Sequence, residues 1–348
     1  MGCPEVFYTH EWASAASRAF AGTSKPLLLL GYKGDTLRGV AALATDRLRQ
    51  KAFFLAATTG DYCDFVSHPH SRAEFLQLVF GELQRQRLPM LVAANIPEDS
   101  ATIGALRQSA AEFGYGSFSR PAYQCARVVF ESAEQRQAVK QAILGDKKNR
   151  YCLKSLAKHG RVTCDHLRSW PELHAALPEF LDMHIARFRA AGRSSNLVNH
   201  DRQVFLTELT QLLSQNRSVV LSRLMVGDQP IAWNLGFQYA GSWFYYQPTF
   251  DVEWQRYSPG LCLLAKIVEA ACDDPGIRLV DLGLGAEGYK MRFANRARRT
   301  LHFTITSSAV RRWREAARYN AASVIRSSPF LEHCVRRVLG RVSRGVPA

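Results

Sequence analysis

The sequence predicts a mixed α/β fold, built from two tandem copies of one unit and followed by a basic helical tail. Three observations carry this reading. Two apolar stretches, 28–43 and 219–237, each break at a Gly-Asp pair, Gly34-Asp35 and Gly227-Asp228, which is hairpin chemistry. After each hairpin, strand-like and helix-like segments alternate in the same order, as a mixed sheet with packed helices requires. Finally, Ser258-Pro259-Gly260 opens a run of Leu261, Leu263, Leu264, Ile267, Val268 and Ala271 at helical spacing.

The elements are expected in this order. After the first hairpin come a strand over 53–57, a helix over 75–84, a strand over 89–94, a helix over 103–113 and a strand over 124–130. The second copy continues from its hairpin with a strand over 243–246, the helix from Pro259, a strand over 278–284, a short helix around Tyr289 and a last strand over 301–306. Between the copies lie a basic helix over 138–157, expected to cross the domain junction, and two amphipathic helices over 172–187 and 204–213. The predicted boundaries are 1–135, 136–308 and 309–348.

A chain of 348 residues accommodates two domains, and 47% hydrophobic content is ordinary for a globular protein. The longest aliphatic run, 27–30, is too short to span a bilayer, and the first residues do not resemble a secretory leader, so a cytoplasmic location is expected. Eight cysteines without CxxC spacing suggest neither a zinc site nor a redox dithiol. The His68-x-His70 pair lacks accompanying carboxylates, so no metal is expected. No Ser-His-Asp set, P-loop or dinucleotide fingerprint is readable.

The net charge of +15 is uneven. From Ala309 onward nine arginines face two glutamates, and a second basic run comprises Lys147, Lys148, Arg150, Lys154, Lys158 and Arg161. Such fields attract polyanions, so an anionic membrane surface or nucleic acid is an expected partner of the tail, with a solvated surface as the alternative. Arg311, Arg314 and Arg318 share one helical face.

Ser258 is expected to cap the helix at Pro259 with its hydroxyl, and Gly260 to leave room for a ligand against the backbone. A capped helix start offers free amides and a favourable dipole to a phosphate. Asp281 lies on a predicted strand, either as a perturbed acid or as a cap for the following turn. Asp61, Tyr62 and Asp64 form a polar cluster in the first copy, readable as an acceptor groove or as turn chemistry.

The string Trp254, Tyr257-Ser258-Pro259-Gly260, Asp281-Leu282-Gly283, Glu287, Tyr289-Lys290, with this order of elements, resembles the GNAT acyltransferases, and in particular their CelD/BcsL type. The tandem arrangement is also similar to the FemAB/FemX peptidyltransferases. The resemblance implies two tandem GNAT-like domains, the first degenerate. It also implies transfer of an acetyl or acyl group from an acyl-CoA such as acetyl-CoA to an amine or hydroxyl on a small-molecule or glycan-linked acceptor. Exopolysaccharide or cellulose biosynthesis is the implied setting. A FemX-like enzyme using aminoacyl-tRNA and a non-catalytic scaffold are the alternatives.

The resemblance implies donor-binding roles for Arg256, Tyr257, Ser258, Gly260 and Gln247. Only one glycine follows Arg256, where the usual GNAT pattern carries two small residues. Tyr289 is implied as proton donor to the leaving thiolate and Lys290 as a stabiliser of developing charge. Glu287 and Asp281 are the carboxylates available for catalysis, and Asp61 and Asp64 for acceptor binding.

Overall fold

The computed structural model describes residues 4–327, with side chains through residue 321. The N-terminal half opens with α1 (His10–Ala19), which Thr9 caps by accepting from Trp12 N–H. The hairpin β1 (Ser24–Lys33) and β2 (Thr36–Asp46) turns at Gly34, φ +58°. It is followed by β3 (Ala52–Phe54), β4 (Val66–Ser67), α2 (Arg72–Arg85), β5 (Met90–Pro97), α3 (Thr102–Glu112) and β6 (Gly116–Val129).

The C-terminal half runs α4 (Ala133–Gly145), α5 (Lys147–Leu156), β7 (Val162–Leu167), α6 (Trp170–Ala190), α7 (His200–Ser214), β8 (Val219–Val226), β9 (Gln229–Tyr239) and β10 (Ser242–Phe250). Then come α8 (Pro259–Asp273), β11 (Leu279–Leu284), α9 (Gly288–Met291), β12 (Arg296–Thr306) and α10 (Ala309–Ser327). Residues 328–348 of the expected tail lie outside the described residues.

The strands form one twelve-stranded sheet in the order β1-β2-β3-β5-β12-β6-β11-β10-β9-β8-β7, with β4 on β2. The sequence reading put the last strand of each copy within its own half. Instead β12 lies between β5 and β6 of the first half, and β6 pairs with β11 of the second. Each half thereby supplies a strand that completes the other. Hydrophobic periodicity cannot reveal this, because a buried strand reads the same whichever neighbours it takes.

The basic segment 138–157 is two helices rather than one. Asp146, extended at ψ 117°, ends α4 and caps α5 by accepting from Asn149 N–H. Both helices pack on α8, inside the C-terminal half and not across a junction. Two cores result. One gathers α1, α2, α6 and α7 with residues such as Trp12, Phe80, Phe205 and Phe237. The other lies under α8, around Leu263, Ile267, Val280 and Trp243. No helix among the described residues is long and apolar enough to cross a membrane.

Candidate active site

The site begins where two parallel strands part. β10 and β11 pair only at Ser242–Leu279, Trp243–Val280 and Phe244–Asp281. Beyond that, the register of β10 against β9 slips between Tyr245 and Gln247, which bends the strand. Its free end, Pro248 to Phe250, opens away from β11, and the start of α8 and the short α9 close the gap. Arg187, Tyr245, Pro248, Thr249, Phe250, Gln255, Ser258, Gly260, Leu261 and Tyr289 line the resulting cavity, of about 320 Å³.

Three of the expected residues, Ser258, Gly260 and Tyr289, meet in this one cavity although 29 positions separate the last two. Their local geometry differs from expectation in one respect. Ser258 adopts a left-handed conformation, φ 53° and ψ 51°, and its hydroxyl makes no capping bond. Its carbonyl accepts from Leu261 and Cys262 N–H instead. A non-glycine residue held there stores strain, a feature concentrated at functional sites. Pro259 has no N–H, and Gly260 N–H makes no hydrogen bond among the described residues. A Cβ on Gly260 would stand 3.3 Å from the Phe250 ring, so the glycine keeps the mouth open.

Arg187 and Thr249 are among the lining residues that sequence reasoning missed. Arg187, near the end of α6, stacks on Phe250 at 4.3 Å and donates to Pro248 O at 3.0 Å. The buried hydroxyl of Thr249 has no hydrogen-bond partner among the described residues. A basic residue late in a helix looks like an ordinary dipole partner, and a strand threonine like a β-former, so neither stood out.

Tyr289 is partly exposed, and its phenol is pushed up to about 12, chiefly by burial and then by the Glu287 charge, with Arg187 opposing. It therefore holds its proton at neutral pH. Glu287 precedes α9, more than half exposed, and pairs with Lys290 at 3.0 Å.

Lys290, which the resemblance implies as a stabiliser of developing charge, does not line the cavity. It is buried, and Nζ donates to Leu284 O at 2.9 Å while pairing with Glu287. Asp281, expected as a catalytic carboxylate or a cap, caps the turn: Oδ1 accepts from Gly283 N–H at 2.9 Å. Its other oxygen accepts from Tyr62 OH at 2.8 Å and Arg127 Nε at 2.7 Å. Fully buried and so engaged, Asp281 does not line the cavity.

Arg256 and Tyr257 also stay outside the lining. The Arg256 guanidinium lies 4.7 Å over the Tyr257 ring, whose hydroxyl meets His159 Nε2 at 2.7 Å. Gln247 sits opposite Leu235 just past the bend in β10, likewise outside the lining.

The loop after β3 in the first half approaches the end of β11, although neither Asp61 nor Asp64 lines the cavity. Asp61 approaches so closely that a Cβ on Gly283, φ +71°, would lie 2.8 Å from its Oδ2. Burial pushes the Asp61 carboxyl up to about 8; Asp281 adds to the shift, while Lys290 and the Leu284 N–H oppose it. Asp64 turns elsewhere, accepting from Ser100 Oγ at 2.5 Å and Phe65 N–H at 2.8 Å, at a separate cavity of about 40 Å³.

The Asp61 shift has a pH signature. An unfolded aspartate titrates near 3.9. Below that pH both states hold the proton and the stabilisation is fully present. It is lost as pH rises through about 8, because the unfolded chain releases the proton first. Asp61→Asn is expected to flatten that decline in a melting-temperature profile; an unchanged slope between those limits would contradict the assignment.

The comparisons with known proteins fit this geometry. The family model described as an acetyltransferase (GNAT) domain matches residues 146–291, and every residue lining the cavity falls inside that segment. No curated protein matches the sequence significantly. Among solved structures, FemX is similar over 87% of this chain and 92% of its own, at 8% identity and a TM-score of 0.62. The C-terminal domain of a putative lysylphosphatidylglycerol synthetase from Agrobacterium fabrum is similar over 90% of this chain and 96% of its own, at 12% identity and a TM-score of 0.55. L-PGS from Bacillus licheniformis is similar over 96% and 97%, at 11% identity and a TM-score of 0.53. At such identities the likeness shows the fold alone, which is α/β and GNAT-like. The matched domain supports acyl transfer as the general reaction class. Among the described residues, no cluster of three or more His, Cys, Asp or Glu side chains is placed to hold a metal.

Proposed function

We propose that the protein is an acyltransferase whose cavity between β10, α8 and α9 takes the acyl donor, with an acyl-CoA as that donor. The observation that carries this is the junction of the parted strands with the strained Ser258-Gly260 helix start. Strand edge, helix start and a phenol that keeps its proton converge on one opening of about 320 Å³, a volume usual for small-molecule sites. The residues fit a thioester arm. The parted edge of β10 offers backbone groups, Thr249 an unsatisfied hydroxyl, and Gly260 a free amide at the start of a fifteen-residue helix. Arg187 adds a positive charge at the wall.

Attack of an amine or hydroxyl on the thioester requires a base for the incoming group and an acid for the departing thiolate. Tyr289 is proposed as that acid, its proton held by burial. Glu287, exposed beside it, is proposed as the base. Lys290 anchors the Gly283–Leu284 turn and keeps the two in place through its bonds to Leu284 O and Glu287. The acceptor belongs to the side reached by Asp61, and a glycan-linked acceptor of an envelope or exopolysaccharide pathway is the proposed setting. Tyr289→Phe should lower kcat on the order of 100-fold with little change in KM, since only proton transfer is lost. Unchanged kcat would remove Tyr289 from the mechanism.

A second reading has its own observation. The outer face of α5 exposes Lys147, Lys148, Arg150 and Lys154 around Tyr151, with Lys158 in the turn that follows, and α5 packs against α8 and the turn before it. A basic face with an exposed aromatic beside the donor cavity suits a nucleic-acid stem, hence an aminoacyl-tRNA donor. Thermal shift with acetyl-CoA, longer acyl-CoAs and coenzyme A, alongside charged and uncharged tRNA, separates the two. Stabilisation by the thioesters supports the first reading; salt-sensitive preference for charged tRNA supports the second. No response to either would leave a GNAT-fold scaffold without a donor.

A further inference from the structure

The end of the sheet farthest from the cavity bears a surface that the reaction does not use. β1 is an edge strand, and Leu28, Leu30 and Tyr32 stand on one of its faces, each more than half exposed. Burying these three would be usual for an edge strand of a globular protein; leaving them open in a row marks an interaction surface.

The strand register carries this face across the half. Leu28 is opposite Ala42; two residues on, Ala44 is opposite Phe53, Phe53 beside Val92, Val92 opposite Thr304, and Thr304 opposite Phe118. Paired residues share a face, so Leu28 and Phe118 point to the same side of the sheet. Phe118 packs against Tyr319 of α10 at 6.2 Å between ring centroids. The basic helix and the open leucines therefore flank one side of the N-terminal half.

The outward surface of α10 has two stripes. Val310, Trp313 and Ala317 follow at spacings of three and four residues, with Trp313 71% exposed. Arg311, Arg314 and Arg318 run beside them, all exposed. An apolar stripe with a tryptophan, edged by arginines, is the pattern of a helix lying in the headgroup region of a bilayer.

We propose that this side of the N-terminal half and α10 docks on an anionic lipid bilayer, with the Trp313 stripe and Leu28–Leu30 entering the interface and the arginines against the headgroups. Charge complementarity selects this occupant. Nucleic acid would use the arginines but has no place for exposed aliphatic side chains, and a second copy of the chain would set arginine against arginine. The proposal is independent of the chemistry in the cavity.

The test is co-sedimentation of the full chain with vesicles of phosphatidylcholine alone or containing phosphatidylglycerol. Binding to the anionic vesicles that weakens as salt rises is expected. Arg311→Gln/Arg314→Gln/Arg318→Gln should lower partitioning on the order of 100-fold. Leu28→Ser/Leu30→Ser/Trp313→Ser should lower it as well, and both sets should keep the melting temperature because every site is exposed. Equal binding to both vesicles, or no effect of either set, would overturn the proposal. So would absence of vesicle binding, whether or not the chain captures a generic RNA or forms a dimer in light scattering that the leucine variant abolishes.

Discussion

Gly260→Trp is expected to abolish donor binding while leaving the protein folded. Gly260 is part-exposed at the second position of α8, where a side chain projects toward Phe250 and into the cavity. A Cβ alone already comes within 3.3 Å of the Phe250 ring, so an indole must occupy donor space. A ligand that binds only the folded state stabilises it by RT ln(1 + c/Kd), about 2.7 kcal/mol at a concentration c one hundred times its Kd, and so raises the melting temperature. That increment should vanish in the variant. Gly260→Ala should keep part of it, because Phe250 needs to yield only a few tenths of an ångström. Donor stabilisation that survives the tryptophan would place the donor elsewhere.

Asp281→Ala is expected to destabilise the fold by about 3–5 kcal/mol, the usual cost of breaking a buried ion pair from one side. The carboxylate is fully buried and serves the Gly283 N–H, Tyr62 OH and Arg127 Nε together. Removing it strands Arg127, one of whose Nη atoms is already without a hydrogen bond. The network extends further, because Arg298 donates to Glu5 at 2.7 Å, and Glu5 itself is buried. Glu5 and Tyr62 precede the crossing strands, Arg127 is on β6, Asp281 on β11 and Arg298 on β12, so the ions join the two halves where their strands are exchanged. For a chain of this size the loss corresponds to roughly 4–7 °C in melting temperature. A change within a degree or two would mean that the network contributes no stability. Because Asp281 lies outside the cavity, donor binding below the new melting point should persist, which separates this variant from Gly260→Trp.

The sequence carried much of this arrangement in its punctuation. Gly34-Asp35 and Gly227-Asp228 do sit at the turns of β1-β2 and β8-β9, and the helix that starts at Pro259 does form one wall of the opening. Tyr289 came from the family resemblance rather than from any local signal, and it does line the opening. The burial of Lys290 was not legible, since nothing in the string Glu-Gly-Tyr-Lys tells which way a four-residue helix rolls. Ser258 looked like a cap by residue type, but its left-handed backbone turns the hydroxyl away from that task, and φ is not written in residue identity.

The exchange of β6 and β12 was illegible for a different reason. Each strand is apolar on alternate positions in either topology, and only the positions of partners far along the chain distinguish them. Asp61 illustrates the consequence. In the sequence it belongs to a polar turn of the first copy, and only the joined sheet brings it against Gly283 and Leu284. Arg187 and Thr249 were hidden because their types are common where they stand.

The most direct test of the central claim is a hydrogen-exchange map of the full chain with and without acetyl-CoA. The account predicts slowed exchange at Pro248–Leu261 and around Tyr289, with the edge strand β1 and the basic face of α5 unchanged. Protection confined to other segments, or no protection by acetyl-CoA while charged tRNA slows exchange along α5, would contradict it.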